Sequence, residues 1–423
     1  MEFLQRIWDS RDTRKRVLFT ASIFFLIRLF GHLPVPGIRI DQLRVLFEQS
    51  PLLGMIDLFS GGTLANFSVM AIGINPYITA SIIIQMATFV FPKLKEISKE
   101  GESGREQINQ YTRFLTVPIA VIQSISVLFL LNSQSLVETQ NPLNIISMVM
   151  TMVAGSMIMV WLGELITQKG LGNGISMIIF AGIVGRYPIS LIQSLKVTQF
   201  EQLTPLFTII GLGAVVVSSM VIMNEAIRKV SIHYATRVRG SQSFGTQATH
   251  LPLKLNQTGV LPIIFAVSMM MLPSFLGKFL QQVQNVQIQE FAQWLELSFQ
   301  PNTSLYAIVY FALVVAFSYF STAVFFNPKE IADDLKKSGA FVPGVRPGKH
   351  TETYLGNLVT HLTLPGAIFL GVIAVLPTFV QSATNISTLT VGGTGLLIVV
   401  SVVLETVKQI KSSLLVQDYD KFR

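Results

Sequence analysis

The charged side chains within or at the ends of the long apolar runs of this chain are few, and those that could do chemistry are Arg28, Glu164, Glu225 and Glu405. A carboxylate at membrane depth can seat a coupling ion or relay a proton, and an arginine there needs a partner or access to water. Glu164, Glu225 and Glu405 fall near the ends of their runs that face basic connections, where pairing or hydration is easy. Arg28 lies nearer the middle of its run and is the one that demands an explanation. An ion-coupled transporter needs more polar apparatus at mid-depth than these four groups supply. A secondary transporter of a small solute therefore stands as the alternative reading.

Other chemistries are excluded more directly. The chain has no cysteine, which removes disulfides, thiolate metal sites and thiol nucleophiles together. Its five histidines, His32, His233, His250, His350 and His361, have no metal-ligand spacing, so no metal is expected. There is no phosphate loop of the GxxxxGK[ST] type, so ATP hydrolysis is not expected of this chain. The run Gly170, Leu171, Gly172, Asn173, Gly174 lies between two apolar runs, not between a strand and a helix, and reads as a tight turn. No histidine–carboxylate constellation suggests a protease. The expectation is a non-enzyme without cofactor.

Half of the residues are hydrophobic, 13% are charged, and the mean hydropathy is +0.56. Soluble domains carry about 25% charged residues, so most of this chain faces lipid or packed helices. Ten apolar runs approach the length of a membrane-crossing helix: 17–34, 73–91, 114–131, 145–167, 174–195, 206–224, 259–280, 305–326, 358–380 and 391–410. Each is continuously apolar instead of alternating, which favours helices over a barrel. The first run ends in Gly31, His32, Leu33 and Pro34, not in a small-residue cleavage site, and reads as a mature helix. The fold class is an all-α integral membrane protein with ten transmembrane helices.

The 31 Lys and Arg residues set its orientation. With both termini inside, 25 of them lie in inside segments, the outside connections and helix edges hold only Arg39, Arg44, Arg186, Lys196 and Lys278, and Arg28 lies nearer the middle of the first run. That asymmetry satisfies the positive-inside rule. Two inside loops, about 225–257 and 327–357, are longer than orientation requires. Their charge suits an anionic surface such as ribosomal RNA or lipid headgroups, or a protein, or topology alone.

Ten runs divide into five and five, 1–195 and 196–423, and an odd number per half forces the second half to be inverted. Channels and transporters built this way carry their path between the halves. The most irregular apolar stretch, 56–72 (IDLFSGGTLANFSVMAI), is too short and too interrupted by Gly61 and Gly62 to span. It can be a surface loop, an interfacial helix or a re-entrant piece bordering a cavity.

Seven strings in order carry a family resemblance: LFSGGTLANFSVMAIGINPYITASIII within 56–84, KEGESGREQINQYTR at 99–113, GLGNGISMIIFAGI at 170–183, ATHLPLKLN at 248–256, GVLPIIF at 259–265, GAFVPGVRPGKHT at 339–351 and GGTGLLIVV at 392–400. Together, on a ten-run frame, they resemble the SecY family of protein-conducting channels along nearly the whole chain, its bacterial members above all. The resemblance implies two pseudo-symmetric inverted five-helix halves around an hourglass pore. That pore passes unfolded secretory polypeptides across the plasma membrane and releases transmembrane segments sideways into lipid. A plastid membrane is the less favoured location.

The same resemblance assigns residues. A short re-entrant plug helix, about 58–72, would comprise Leu58, Phe59, Ser60, Gly61, Gly62, Thr63, Leu64, Ala65, Asn66, Phe67, Ser68 and Val69. The waist of the pore would be a ring of Ile78, Ile82, Ile175, Ile179, Ile264 and Ile398. The spacing of four within the first two pairs puts each pair on one helix face, and branched aliphatics dewet a narrow collar. Without the resemblance, these six would read as ordinary packed isoleucines. A lateral gate would run between spans two and three and spans seven and eight, where Gln85, Thr88, Gln123 and Ser268 are candidate closing residues. Arg237, Arg239, Lys254, Arg346 and Lys349 on the basic loops would receive the ribosome or the motor ATPase SecA. Ser241 and Gln242 stand where some relatives carry basic residues, which weakens the expected ribosome contact. The small membrane subunits SecE and SecG are further implied partners, with a signal sequence and the lipid bilayer as the remaining ligands.

Overall fold

The computed structural model describes residues 9–43, 57, 60–134, 136–137, 141–197, 204–234, 249–281, 285–300, 303–384 and 388–421. Each of the ten apolar runs lies on a helix. In chain order these are α1 (Arg11–Phe30), α2 (Asn75–Val90), α4 (Glu102–Ser133), α5 (Pro142–Lys169), α6 (Gly174–Val197), α7 (Thr204–Glu225), α8 (Leu261–Leu280), α10 (Ser304–Phe325), α12 (Lys349–Thr384) and α13 (Thr388–Lys421). Three shorter helices connect them: α3 (Pro92–Lys99), α9 (Val286–Ser298) and α11 (Pro328–Lys337).

Local chemistry sets the boundaries. Ser10 caps α1 by accepting from the Thr13 amide, and Asn141 and Thr303 cap α5 and α10 in the same way. Pro76 and Pro142 occupy the first turns of α2 and α5, where a missing N–H costs nothing. Between α2 and α3 the axis bends by 103°. Phe91 is extended there because Pro92 follows it and disfavours the helical conformation. Among the described residues, the helical stretches Glu102–Asn132, Pro142–Lys169, Ser304–Lys337 and Lys349–Phe379 are long and apolar enough to cross a membrane singly. The bent α2–α3 pair makes a fifth.

Buried residues of α1, α2, α5–α8, α10, α12 and α13 form one large apolar cluster. A second cluster joins the turn after α1 to α4 and α5. Within the first five apolar helices α2 packs on α4, α4 on α5, and α5 on both α1 and α6. Within the last five, α8 packs on α10, α10 on α12, and α13 on both α7 and α12. The two sets meet where α2 touches α8 and where α13 touches α6 and α1.

One element departs from an all-helical expectation. The two long basic loops are not independent, because they share a three-stranded antiparallel sheet in the order β2–β1–β3. Strands β1 (Ile227–Tyr234) and β2 (Thr249–Lys254) come from the first loop, and β3 (Ala340–Phe341) from the second. Val230 faces Leu251 and His233 faces Phe341 across the ladder. Val230, Leu253, Val342 and Val359 bury a small core that seats the sheet on α12. Buried Val230 and Ile232 alternating with exposed Lys229 and Ser231 are strand chemistry, hidden in the sequence by the charges around them.

Candidate functional site

All six isoleucines of the expected ring fall in the large central cluster. Ile78 and Ile82 on α2, Ile179 on α6, Ile264 on α8 and Ile398 on α13 are buried, and Ile175 packs against them half-buried. They come from four helices, two in each set of five, and the cluster runs across the places where α2 meets α8 and α6 meets α13. A collar of branched aliphatic side chains offers water no hydrogen-bond partner.

The segment assigned to the plug sits directly beside this cluster. Leu58 and Phe59 lie outside the described residues. Ser60 ends a helical turn, and 61–74 is a buried succession of turns instead of a continued helix. The cause is local: Gly61 and Gly62 both take positive φ (78° and 81°), and Phe67 follows at 42°. Buried turns leave amides that need acceptors, and Asp57 supplies one. Its Oδ1 accepts from the Leu64 and Ala65 amides at 3.0 and 2.9 Å and from the Ser60 hydroxyl at 3.3 Å. Thr63 donates to the Ser60 and Met70 carbonyls, and Asn66 donates to the Gly62 carbonyl.

Three contacts pin the segment from outside. The turn after α1 forms a bridge to it, with the Val35 amide on the Phe67 carbonyl and the Val69 amide on the Leu33 carbonyl, around the pair Pro34 and Ser68. On α5, Ser156 donates to the Gly73 carbonyl at 2.8 Å, and the Gly155 backbone lies against the Val69 carbonyl. On α6, Gly182 meets Gly61 so closely that a Cβ on Gly61 would come within 2.9 Å of its Cα. Leu64, Phe67, Ala71 and Ile72 belong to the second cluster and Met70 and Ile74 to the central one, so the segment bridges both cores. A Cβ at position 155 would fall 1.9 Å from the Val69 carbonyl oxygen. Gly155→Ala must therefore push the segment off α5, at about 1–3 kcal/mol for overpacking. The expected result is a lowered thermal unfolding midpoint, while Gly213→Ala, whose methyl meets nothing within 4 Å, leaves the midpoint unchanged.

Arg28 corrects an expectation. It stands in the last turn of α1 and not near mid-span, where a cation also favours the helix C-terminal dipole. Its guanidinium reaches both the Gly61 carbonyl, at 3.4 Å, and the Ala181 carbonyl on α6, at 3.5 Å, and it lies across Gly185. The arginine thus spans α1, the turn segment and α6. The other flagged charges are paired or exposed: Arg113 with Glu164 between α4 and α5, Lys408 with Glu225 between α13 and α7, and Glu405 at the surface. Sequence reasoning missed Gly182 and Gly185 as the receiving surface. Small residues three apart in an apolar helix are the available signal for a close approach.

At the meeting of α2, α8 and α10, the candidate gate residues keep their hydrogen bonds within their own helices. Gln85 donates to Ser81, Thr88 donates to the Gln85 carbonyl and Ser268 donates to the Ile264 carbonyl. The Gln85 Oε1 is buried with no partner among the described residues, and Gln123 is half-buried on α4. What crosses the seam is aromatic. Phe89 on α2 meets Phe320 on α10 edge to face at 6.1 Å, Phe320 meets Phe317 at 6.5 Å, and Phe317 meets Phe265 on α8 at 5.9 Å. Edge-to-face pairs of this kind add about 0.5–1.5 kcal/mol each beyond their buried area. On the sheet-bearing face Lys254, Arg346 and Lys349 are exposed, and the Thr351 hydroxyl holds the Arg346 carbonyl. Arg237 and Arg239 lie outside the described residues.

The family model described as SecY matches residues 68–407, most of the chain. The chain belongs to the SecY family. It is 41% identical over 423 residues to the protein translocase subunit SecY of Pseudomonas aeruginosa, covering 99% of this chain and 93% of that one. To the protein translocase subunit SecY of Aquifex aeolicus it is 39% identical, covering 100% and 99%. Among solved structures it is similar in fold to one described as a protein conducting channel, with a TM-score of 0.63 at 17% identity, covering 94% of this chain and 92% of that one. A structure concerned with the SecY plug domain and its stabilisation of the closed state gives a TM-score of 0.62. Sec61 in a canine ribosome-channel complex gives 0.59. Membership of the SecY family makes this chain a multi-pass membrane protein of the channel fold, and the small-solute transporter reading loses its support.

Proposed function

We propose that the chain forms the pore of a protein translocase, a passive path for unfolded polypeptide. The observation that carries this reading is the gathering of six isoleucines from α2, α6, α8 and α13 into one apolar cluster directly against a buried, turn-built segment. In this reading the isoleucines are the waist and residues 58–72 the plug, with ten spans arranged as two inverted halves, 1–195 and 196–423. A collar without polar partners keeps water and ions out at rest and yields to any side chain, which suits a path that must accept many sequences. A signal sequence binds the open form and shifts the population toward it.

The seam of α2, α8 and α10 is the lateral exit in this scheme, with Gln85, Thr88, Gln123 and Ser268 around it. The aromatic contacts from Phe89 to Phe265 hold it shut until an apolar segment replaces them. Lys254 ends β2, while Arg346 and Lys349 lie in the turn after β3 and at the start of α12, so the three exposed cations border the shared sheet and form a surface suited to the ribosome or to SecA; Arg237 and Arg239 fall between its strands in sequence. Two solved relatives of the same fold are described in ribosome complexes, which supports the ribosome as one partner. SecE and SecG complete the expected assembly, and the excess of basic residues on the sheet-bearing side supports a cytoplasmic location for that face in a bacterial plasma membrane. Energy comes from the partners, since the chain has no phosphate loop of its own.

Site-specific crosslinking tests the path. The chain has no cysteine, so single cysteines at Ile82, Ile179, Ile264 and Ile398 give unambiguous probes against a stalled secretory chain in vesicles supplied with the motor. Adducts from all four positions to one translocating chain are expected. Intact translocation without adducts would remove these residues from the path.

A further inference from the structure

Helix α9 presents an apolar face that the channel reading does not use. It packs on α8: Ala292 is fully buried, a Cβ on Gly277 would come within 2.9 Å of the Ala292 carbonyl oxygen, and Gln281 hydrogen-bonds Glu296. Its opposite face leaves four large apolar side chains open, Val286 (66% exposed), Phe291 (54%), Trp294 (53%) and Leu297 (61%). The Phe291 and Trp294 rings stack at 6.0 Å with 24° between their planes. Gln287, Glu290 and Gln293 are interleaved with them, and the helix carries no Lys or Arg.

We propose that α9 is an interfacial membrane anchor whose Trp294 face lies in the headgroup region of the leaflet opposite the basic sheet. Its level follows from connectivity. The helix precedes α10, one of the helices long enough to cross the membrane, whereas α11 and β3 follow α10. Five residues separate its end from the start of α10, and five separate its start from the end of α8. At about 3.5 Å per residue neither link reaches far from the membrane surface. The adjoining first turns of α10 expose Leu305 and Ile308, so apolar surface continues from the crossing helix to this level. Tryptophan with an aromatic neighbour is the favoured occupant of the membrane–water boundary. A helix of 13 residues is too short to span the bilayer, so its exposed apolar side chains meet lipid only if it lies along that plane. Glu290 and the two glutamines hold it shallow, and the absence of basic residues makes the contact one with acyl and glycerol groups, not with headgroup charge.

The test uses the chain's three tryptophans. The full-length variant Trp8→Phe/Trp161→Phe, which retains only Trp294, is reconstituted in nanodiscs whose lipids are brominated near the headgroup. Trp294 emission is expected to be quenched to an extent comparable with Trp161, exposed on α5, measured in the matching single-tryptophan variant. Acrylamide in the water should quench it weakly. Strong acrylamide quenching without bromolipid quenching would overturn the proposal and leave the face to water or to a protein. An independent readout is a nitroxide on Phe291→Cys. Collisions with oxygen exceeding those with a water-soluble nickel complex support the anchor, and the reverse order refutes it.

Discussion

Serine in place of Ile82, Ile179, Ile264 or Ile398 makes the idle channel conduct ions, measured as resting conductance in planar bilayers. Each of these side chains is buried in the central cluster, and removing one forfeits about 1.5–3 kcal/mol of apolar burial. If half of that falls on the balance between dry and wet states, the conducting fraction rises about four- to tenfold, since 1.4 kcal/mol is one decade. The hydroxyl also offers water a partner inside the apolar cluster. Ile83 sits next in sequence on α2 but is exposed, so Ile83→Ser changes resting conductance little. Equal leak from Ile82→Ser and Ile83→Ser would mean that the barrier is not the isoleucine cluster.

The second large effect is at Arg28 and Gly185. A methyl on Gly185 would fall 1.2 Å from the arginine Nη2, so Gly185→Ala must expel the guanidinium from its seat. That loses the contacts to the Gly61 and Ala181 carbonyls. Hydrogen bonds to a charged group contribute about 1.5–3 kcal/mol, and 3.4 and 3.5 Å are long, so about 1–2 kcal/mol in total is a fair expectation. Gly61 lies in the segment proposed as the plug, so on that reading the energy is taken from the closed state, and Gly185→Ala raises resting leak and passage of chains with defective signal sequences. Arg28→Ala does the same. The double variant distinguishes the mechanism: the two substitutions remove one interaction, so their effects do not add, whereas independent sites do. Additive leak in Arg28→Ala/Gly185→Ala would show that Gly185 acts through α6 packing alone.

Much of this protein was legible before any coordinates. Apolar run length is a one-dimensional property, and a membrane helix satisfies its own backbone hydrogen bonds. All ten runs therefore mark helices, and Pro76, Asn141 and Thr303 set starts that need no distant partner. The irregularity of 56–72 was equally readable, because Gly61 and Gly62 cannot sit comfortably in a continuous helix. The assignment of six isoleucines to a ring rests on the family strings, since an isoleucine among many carries no signal of its own.

Contacts between distant segments were decided by tertiary structure. Arg28 reads as a mid-span charge in isolation, and only folding brings it into the last turn of α1, opposite the Gly61 and Ala181 carbonyls more than thirty and one hundred and fifty residues away. Nothing in the sequence joins the two basic loops, yet β1 and β3 pair across more than a hundred residues around the core that Val230, Leu253 and Val342 share. Polar closing residues are the expectation at the seam of α2, α8 and α10, yet Gln85, Thr88 and Ser268 find acceptors inside their own helices, and aromatic rings from Phe89 to Phe265 meet there. Sequence alone determined which stretches are apolar enough to form helices of a membrane protein, because transfer to lipid depends on local composition. Which side chains seal, latch and exit depends on what each face meets, and that is a property of the packed whole.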